Sequence, residues 1–224
     1  MKFIPSILLI MLIINSGLSQ AGLIVGGTRL IYDGAKKESS INVSNPDKAP
    51  YLVQSWIESN VNSREKAPFI ITPPLFRLDG GQNNVLRVVR LGGNLPQDRE
   101  SLYWLNIKSI PSVEKDETKN MLQIAVKTRI KLIYRPLSIK GSPEEFTDKL
   151  SWQRSGNQLQ VSNPTPFYMN FQSVAVAGKE LADAQYVAPQ SSASFELPTG
   201  AGNSVSWRII NDYGGTGENH HASF

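Results

Sequence analysis

Residues 121–134 read Met-Leu-Gln-Ile-Ala-Val-Lys-Thr-Arg-Ile-Lys-Leu-Ile-Tyr. Even positions carry Leu122, Ile124, Val126, Thr128, Ile130 and Leu132; odd positions carry Gln123, Ala125, Lys127, Arg129 and Lys131. Successive side chains of a strand point to opposite faces, so this run has one apolar face and one cationic face. Fully extended it spans roughly 45 Å, well beyond the usual strand. Periodicity alone favours a core strand with a solvated back. A sharper reading is an edge strand whose first half, Leu122, Ile124 and Val126, overhangs its own sheet and is offered to a partner chain.

Working outward, period two persists and turn signals recur every ten or so residues. Leu30-Ile31-Tyr32 stops at Asp33-Gly34, and Ile41 and Val43 alternate with polar residues before Asn45-Pro46-Asp47. Tyr51 to Glu58, Phe69 to Ile71, Val85 to Leu91 and Leu102 to Ile110 continue the pattern. Arg135 to Pro143 then forms a Pro/Gly/Ser-bearing link. Strands resume at Leu159 to Val161, Tyr168 to Val174, Ser194 to Leu197 and Val205 to Ile210. Such spacing predicts an all-β chain of two antiparallel sandwiches. A short helical turn is expected over Lys179 to Ala184, and a mobile tail from Gly215 to Phe224. One echo points to duplication: Val43-Ser44-Asn45-Pro46 recurs as Val161-Ser162-Asn163-Pro164. The expected division is 1–21 as a signal peptide, 22–139 as the first domain and 140–224 as the second.

Composition excludes much chemistry. The 224-residue chain has no cysteine, so disulfides, thiol nucleophiles and zinc–cysteine sites are ruled out. Its two histidines, His220 and His221, sit near the C-terminus, a poor place for a catalytic triad or a metal site. No enzyme, cofactor or metal is expected. The net charge of +4 comes without a Lys/Arg run, so no nucleic-acid groove is expected. Met1-Lys2, the apolar run Ile7 to Ile14 and the ending Ser19-Gln20-Ala21 suit an export signal cleaved after Ala21. Eight apolar residues span only about 12 Å as a helix, too short to cross a bilayer. The mature protein is expected to be exported and not inserted in the membrane.

Several segments then carry a resemblance. Thr28-Arg29-Leu30-Ile31-Tyr32, Ile71-Thr72-Pro73-Pro74-Leu75-Phe76 and Leu95-Pro96-Gln97-Asp98-Arg99-Glu100-Ser101 appear in the first domain. Ile130-Lys131-Leu132-Ile133-Tyr134-Arg135-Pro136, Asn163-Pro164-Thr165-Pro166 and Ile210-Asn211-Asp212-Tyr213-Gly214 follow. In this order they resemble the periplasmic chaperones of the chaperone–usher pathway for pili. The resemblance implies two immunoglobulin-like domains in a boomerang arrangement. It implies pilus subunits and an outer-membrane usher as partners, and a periplasmic location. It leaves open a self-capping dimer.

On the same ground, Arg29 and Lys131 correspond to the family's anchor for the subunit's C-terminal carboxylate, and Leu122, Ile124 and Val126 to its donated side chains. Glu100, Arg135 and Asp212 resemble an interdomain ionic network. The short charged segment Val113 to Asn120, together with the absence of cysteine, resembles the family's short-loop branch. A secreted immunoglobulin-like adhesin, binding through loops rather than an edge strand, is the alternative.

Overall fold

The computed structural model describes residues 22–59, 66–112 and 122–224. The expected signal peptide 1–21, the segment Val113 to Asn120 and Met121 lie outside the described residues.

Among the described residues the first domain holds β1 (Ile24–Val25), β2 (Arg29–Asp33), β3 (Glu38–Ser44), β4 (Tyr51–Glu58), β5 (Phe69–Thr72), β6 (Leu75–Leu78), β7 (Asn83–Arg90), β8 (Ser101–Pro111) and β9 (Val126–Arg135). One sheet has the order β1-β3-β7-β5, the other β2-β9-β8-β4-β6. Alternation decides which side chains meet between them. Ile41, Val43, Phe69, Ile71, Leu86 and Val88 from the first sheet pack on Val53, Leu105, Ile107, Ile130, Leu132 and Tyr134 from the second. The expectation of purely antiparallel sheets needs one correction. β2 pairs β9 in parallel, Arg29 opposite Lys131 through Asp33 opposite Arg135. The cause is a change of sheet: the chain leaves β1 on one sheet and re-enters as β2 on the edge of the other.

The second domain holds β10 (Ser151–Ser155), β11 (Gln158–Asn163), β12 (Met169–Val176), β13 (Lys179–Glu180), β14 (Tyr186–Val187), β15 (Ser191–Glu196), β16 (Ser204–Ile209) and β17 (His220–Ser223). β10-β11-β15 faces β13-β12-β16-β17 over a core of Leu159, Val161, Phe167, Met169, Val174, Val205 and Trp207. Two expectations fail here. Lys179-Glu180 pairs with Val176 and Ala175 as a strand, and only a non-helical turn follows at Ala182-Asp183; the 3-10 helix among the described residues is Pro143–Lys149. The tail is also folded. β17 pairs with β16, and the His220 ring stacks on Trp207 while its Nδ1 lies 2.6 Å from Asp148 Oδ1.

The four-residue echo marks the same local device in both domains. Asn45 and Asn163 are buried at strand ends, and each side-chain oxygen accepts the backbone N–H two residues on. Each side-chain NH₂ donates to the carbonyl four residues on, Ala49 and Phe167, at 2.9 and 2.8 Å. It donates also to a second segment, at Leu78 or Ala188. A buried amide satisfied in this way fixes the chain reversal after each strand.

Candidate functional site: an overhanging strand beside a cation pair

β9 decides the site. Along its apolar face, exposure climbs from 0% at Leu132 and 7% at Ile130 to 52% at Val126, 65% at Ile124 and 88% at Leu122. The first two belong to the domain's own core; the last three are exposed and are not part of it. The expected strand over 121–134 is shorter than its alternation suggests. It starts at Val126, and Leu122 to Ala125 are not in a strand. On one side β9 pairs β8 from Val126 to Tyr134, whereas on the other β2 covers only Lys131 to Arg135. Among the described residues, therefore, the edge from Val126 to Ile130 is unpaired. An exposed apolar edge is a template for another strand.

The cationic face of β9 is not free. Lys127 lies over the Trp56 ring at 5.1 Å and Arg129 over Trp104 at 4.2 Å. Glu58 sits 3.9 Å from Lys127 and 3.7 Å from Arg129, and accepts the Trp56 indole N–H at 2.7 Å. These contacts tie the solvent side of the strand to β4 and β8.

Where β2 begins, the parallel pairing sets Arg29 directly beside Lys131. Both reach the second domain. Arg29 Nη1 donates to the Ile210 carbonyl at 3.2 Å; its buried Nε has no hydrogen-bond partner among the described residues. Lys131 Nζ donates to Asn170 Oδ1 and lies 4.6 Å from the Tyr186 ring centre. Burial, then the charge of Arg29, push Lys131 down to about 8, while burial lowers Arg29 against the pull of Asp212. A cleft of about 720 Å³ opens beside Arg29, between β2, the 136–141 link and the Asp212-Tyr213 turn.

Glu100, Arg135 and Asp212 also come together. Arg135 Nε donates to Glu100 Oε1 at 2.7 Å, and its two terminal nitrogens donate to Asp212 at 2.7 and 2.8 Å. Glu100 is fully buried, and its other oxygen accepts the Tyr168 N–H at 2.7 Å. Burial pushes the Glu100 carboxyl up to about 6, against the pull of Arg135 and that N–H. Burial opposes the Arg135 charge too, but Asp212 and Glu100 outweigh it and raise its pKa. The turn bearing Asp212 seats closely on the first domain. Gly214, at φ +86°, would place a Cβ 2.5 Å from Thr28 Oγ1, so only glycine fits there.

A profile of the pili and flagellar-assembly chaperones, PapD N-terminal domain, matches residues 22–140, and one of the pili assembly chaperone PapD, C-terminal domain, matches 145–221. The chain belongs to the PapD family of pilus-assembly chaperones. A probable fimbrial chaperone, LpfB of Escherichia coli O157:H7, is 45% identical over 97% of this chain and 94% of its own length. The E. coli chaperone DraB superposes with a TM-score of 0.82 at 44% identity, covering 91% of this chain and 96% of DraB. The Salmonella enterica SafB chaperone, solved in complex with the SafA pilin, gives 0.85 at 38% identity, covering 93% and 99%. Both domains are immunoglobulin-like sandwiches, as in these relatives, and the family is one of non-enzymatic assembly chaperones. Among the described residues no helix is long and apolar enough to cross a membrane, and no cluster of His, Asp and Glu is placed to hold a metal.

Sequence reasoning missed Asn170, Ile210, Tyr168 and Tyr186. They are ordinary strand and turn residues, and only the docking of the second domain brings Asn170, Ile210 and Tyr186 to the cations and Tyr168 to Glu100.

Proposed function

We propose that this protein is a periplasmic chaperone that captures pilus subunits by donating β9, holds them folded and capped, and hands them to an outer-membrane usher. The observation that carries this reading is the exposure gradient along the alternate apolar positions of β9 and the segment that leads into it, from Leu132 in the protein's own core to Leu122 in solvent. In strand addition, of which chaperone–pilin complementation is a known instance, backbone pairing supplies affinity and alternate side chains supply specificity. Burying three side chains of this size in a client's groove is worth about 1.5–3 kcal/mol each, before the cost of association. No nucleotide is needed.

Arg29 and Lys131 anchor the client's C-terminal carboxylate. Charge-assisted hydrogen bonds to a fixed anion are strong. Anchoring also sets register, since a slip of one residue would turn every client side chain to the wrong face. Glu100, Arg135 and Asp212 hold the angle between two domains, divided near residue 139. Desolvation makes such a network a geometric device more than a source of stability. Residues 113–120, short and charged, fit the short-loop branch.

The test is co-expression with a pilus subunit, followed by co-purification. Arg29→Ala and Lys131→Ala are expected to yield folded chaperone, by near-UV circular dichroism, that no longer retains the subunit. Retention at the wild-type level by both variants would refute the anchor.

A further inference from the structure

The two anchor cations are joined through the second domain by an unbroken chain of neutral groups. Lys131 Nζ donates to the side-chain oxygen of Asn170. The backbone carbonyl of Asn170 accepts the Ile210 N–H at 2.7 Å, and the Ile210 carbonyl accepts Arg29 Nη1 at 3.2 Å. Asn170 is itself buried and stands opposite Tyr186 in the β12–β14 pair, so one strand pair gives Lys131 both an amide oxygen and an aromatic face.

What this chain lacks is a negative charge. Among the described residues neither Arg29 nor Lys131 has a carboxylate within ion-pair distance. Asp212, which acts on Arg29 only from farther off, is bound at both oxygens by Arg135. An ammonium can only donate, so the Asn170 amide presents its oxygen. It stands where a carboxylate oxygen would stand and carries none of its charge.

We propose that Asn170 is a specificity-determining residue of the anchor: a neutral placeholder that seats Lys131 while leaving both cations without an ion-pair partner, free for an incoming chain-terminal carboxylate. The inference rests on the anchor reading given above. An aspartate at the same position would supply an internal counter-ion, close the pair on itself and exclude the client's terminus.

The experiment uses the full mature chain and two synthetic peptides of identical alternating apolar sequence, one ending in a free α-carboxylate and the other in an amide. Affinities are measured by fluorescence anisotropy for the wild type, Asn170→Asp and Asn170→Ser. The wild type should prefer the carboxylate peptide. Asn170→Asp should lose roughly tenfold or more on that peptide, the value of a charged hydrogen bond, and bind the amide peptide unchanged. Asn170→Ser, still a neutral acceptor, should keep the preference.

A pH series separates charge from shape. The charged and titratable groups around Lys131 are Arg29 on β2, Tyr186 and Tyr168 in the second domain, and Asp212 beyond Arg29. In the wild type, carboxylate binding should weaken as pH rises through about 8, and in Asn170→Asp that slope should disappear from this range. If Asn170→Asp keeps wild-type affinity for the carboxylate peptide, or weakens both peptides equally, the placeholder role is wrong. If Asn170→Asp does not fold, loss of the preference in a folded Asn170→Ser overturns it. If the wild type itself does not distinguish the peptides, the anchor reading falls, and the placeholder with it.

Discussion

Replacing Arg135 by alanine strips Glu100 of its only ionic partner among the described residues while leaving that carboxylate fully buried. Breaking a buried ion pair from one side costs about 3–5 kcal/mol. The lower end applies here, because Glu100 keeps the Tyr168 N–H and the half-buried Asp212 can turn to water. With a urea slope of about 2 kcal/mol/M, a loss of about 3 kcal/mol lowers the midpoint by about 1.5 M. Tryptophan fluorescence reads both domains, through Trp56 and Trp104 in one and Trp152 and Trp207 in the other. The effect carries a pH signature. Glu100 titrates at about 6 in the folded wild type against an ordinary 4.5, and losing Arg135 raises it further. A carboxyl raised on folding contributes stability that is full below about 4.5 and lost as pH rises through its folded value. The deficit of Arg135→Ala should therefore be largest at pH 8 and shrink toward pH 5. Adding Glu100→Gln should recover about 1 kcal/mol or more at pH 8. A variant within about 0.5 kcal/mol of wild type at pH 8, or a deficit equal at pH 8 and pH 5, would refute the reasoning.

Three further outcomes are expected. Ile124→Asp should abolish subunit retention with an unchanged thermal midpoint, whereas Leu132→Ala, on the same face, should cost about 2–5 kcal/mol of stability by thermal or urea unfolding. Capture of a carboxylate-terminated peptide should weaken as pH rises through about 8: bound anion raises Lys131, so affinity is full below the free value and lost above it. Anisotropy titrations from pH 6.5 to 9.5 check this. Asn163→Ala removes a buried amide bonded to Thr165, Phe167 and Ala188, and should destabilise the second domain by about 2 kcal/mol, read as an earlier Trp152/Trp207 transition in urea.

Much of β9 was legible because alternation is a property of the chain alone. What alternation could not locate was the end of its own sheet. Val126 and Ile130 have the same chemistry, and only the reach of the domain's own core, which includes Ile130 and not Val126, separates the covered from the uncovered. The parallel pairing of β2 with β9 escaped for a related reason: a change of sheet leaves no periodic trace. His220 to Ser223 lacks an apolar period, and its strand character comes from pairing with β16 and stacking on Trp207. Arg29, Lys131 and the Glu100–Arg135–Asp212 set were singled out through family-like segments, not from charge pattern. Asn170 carried no signal at all, being a neutral residue 39 positions from the lysine it serves.

The point where β2 starts has a directional consequence. β2 and any strand added to the open part of β9 lie along one line, on one edge, and Arg29 opens β2 opposite Lys131. A client whose last residue docks there must travel the same way as β9. A chain laid in the opposite sense with its first residue at that point would bring its ammonium group up against an arginine and a lysine. If the pair anchors the client's carboxylate as proposed, two like charges make the groove one-way and disfavour any chain that brings a positive terminus to them.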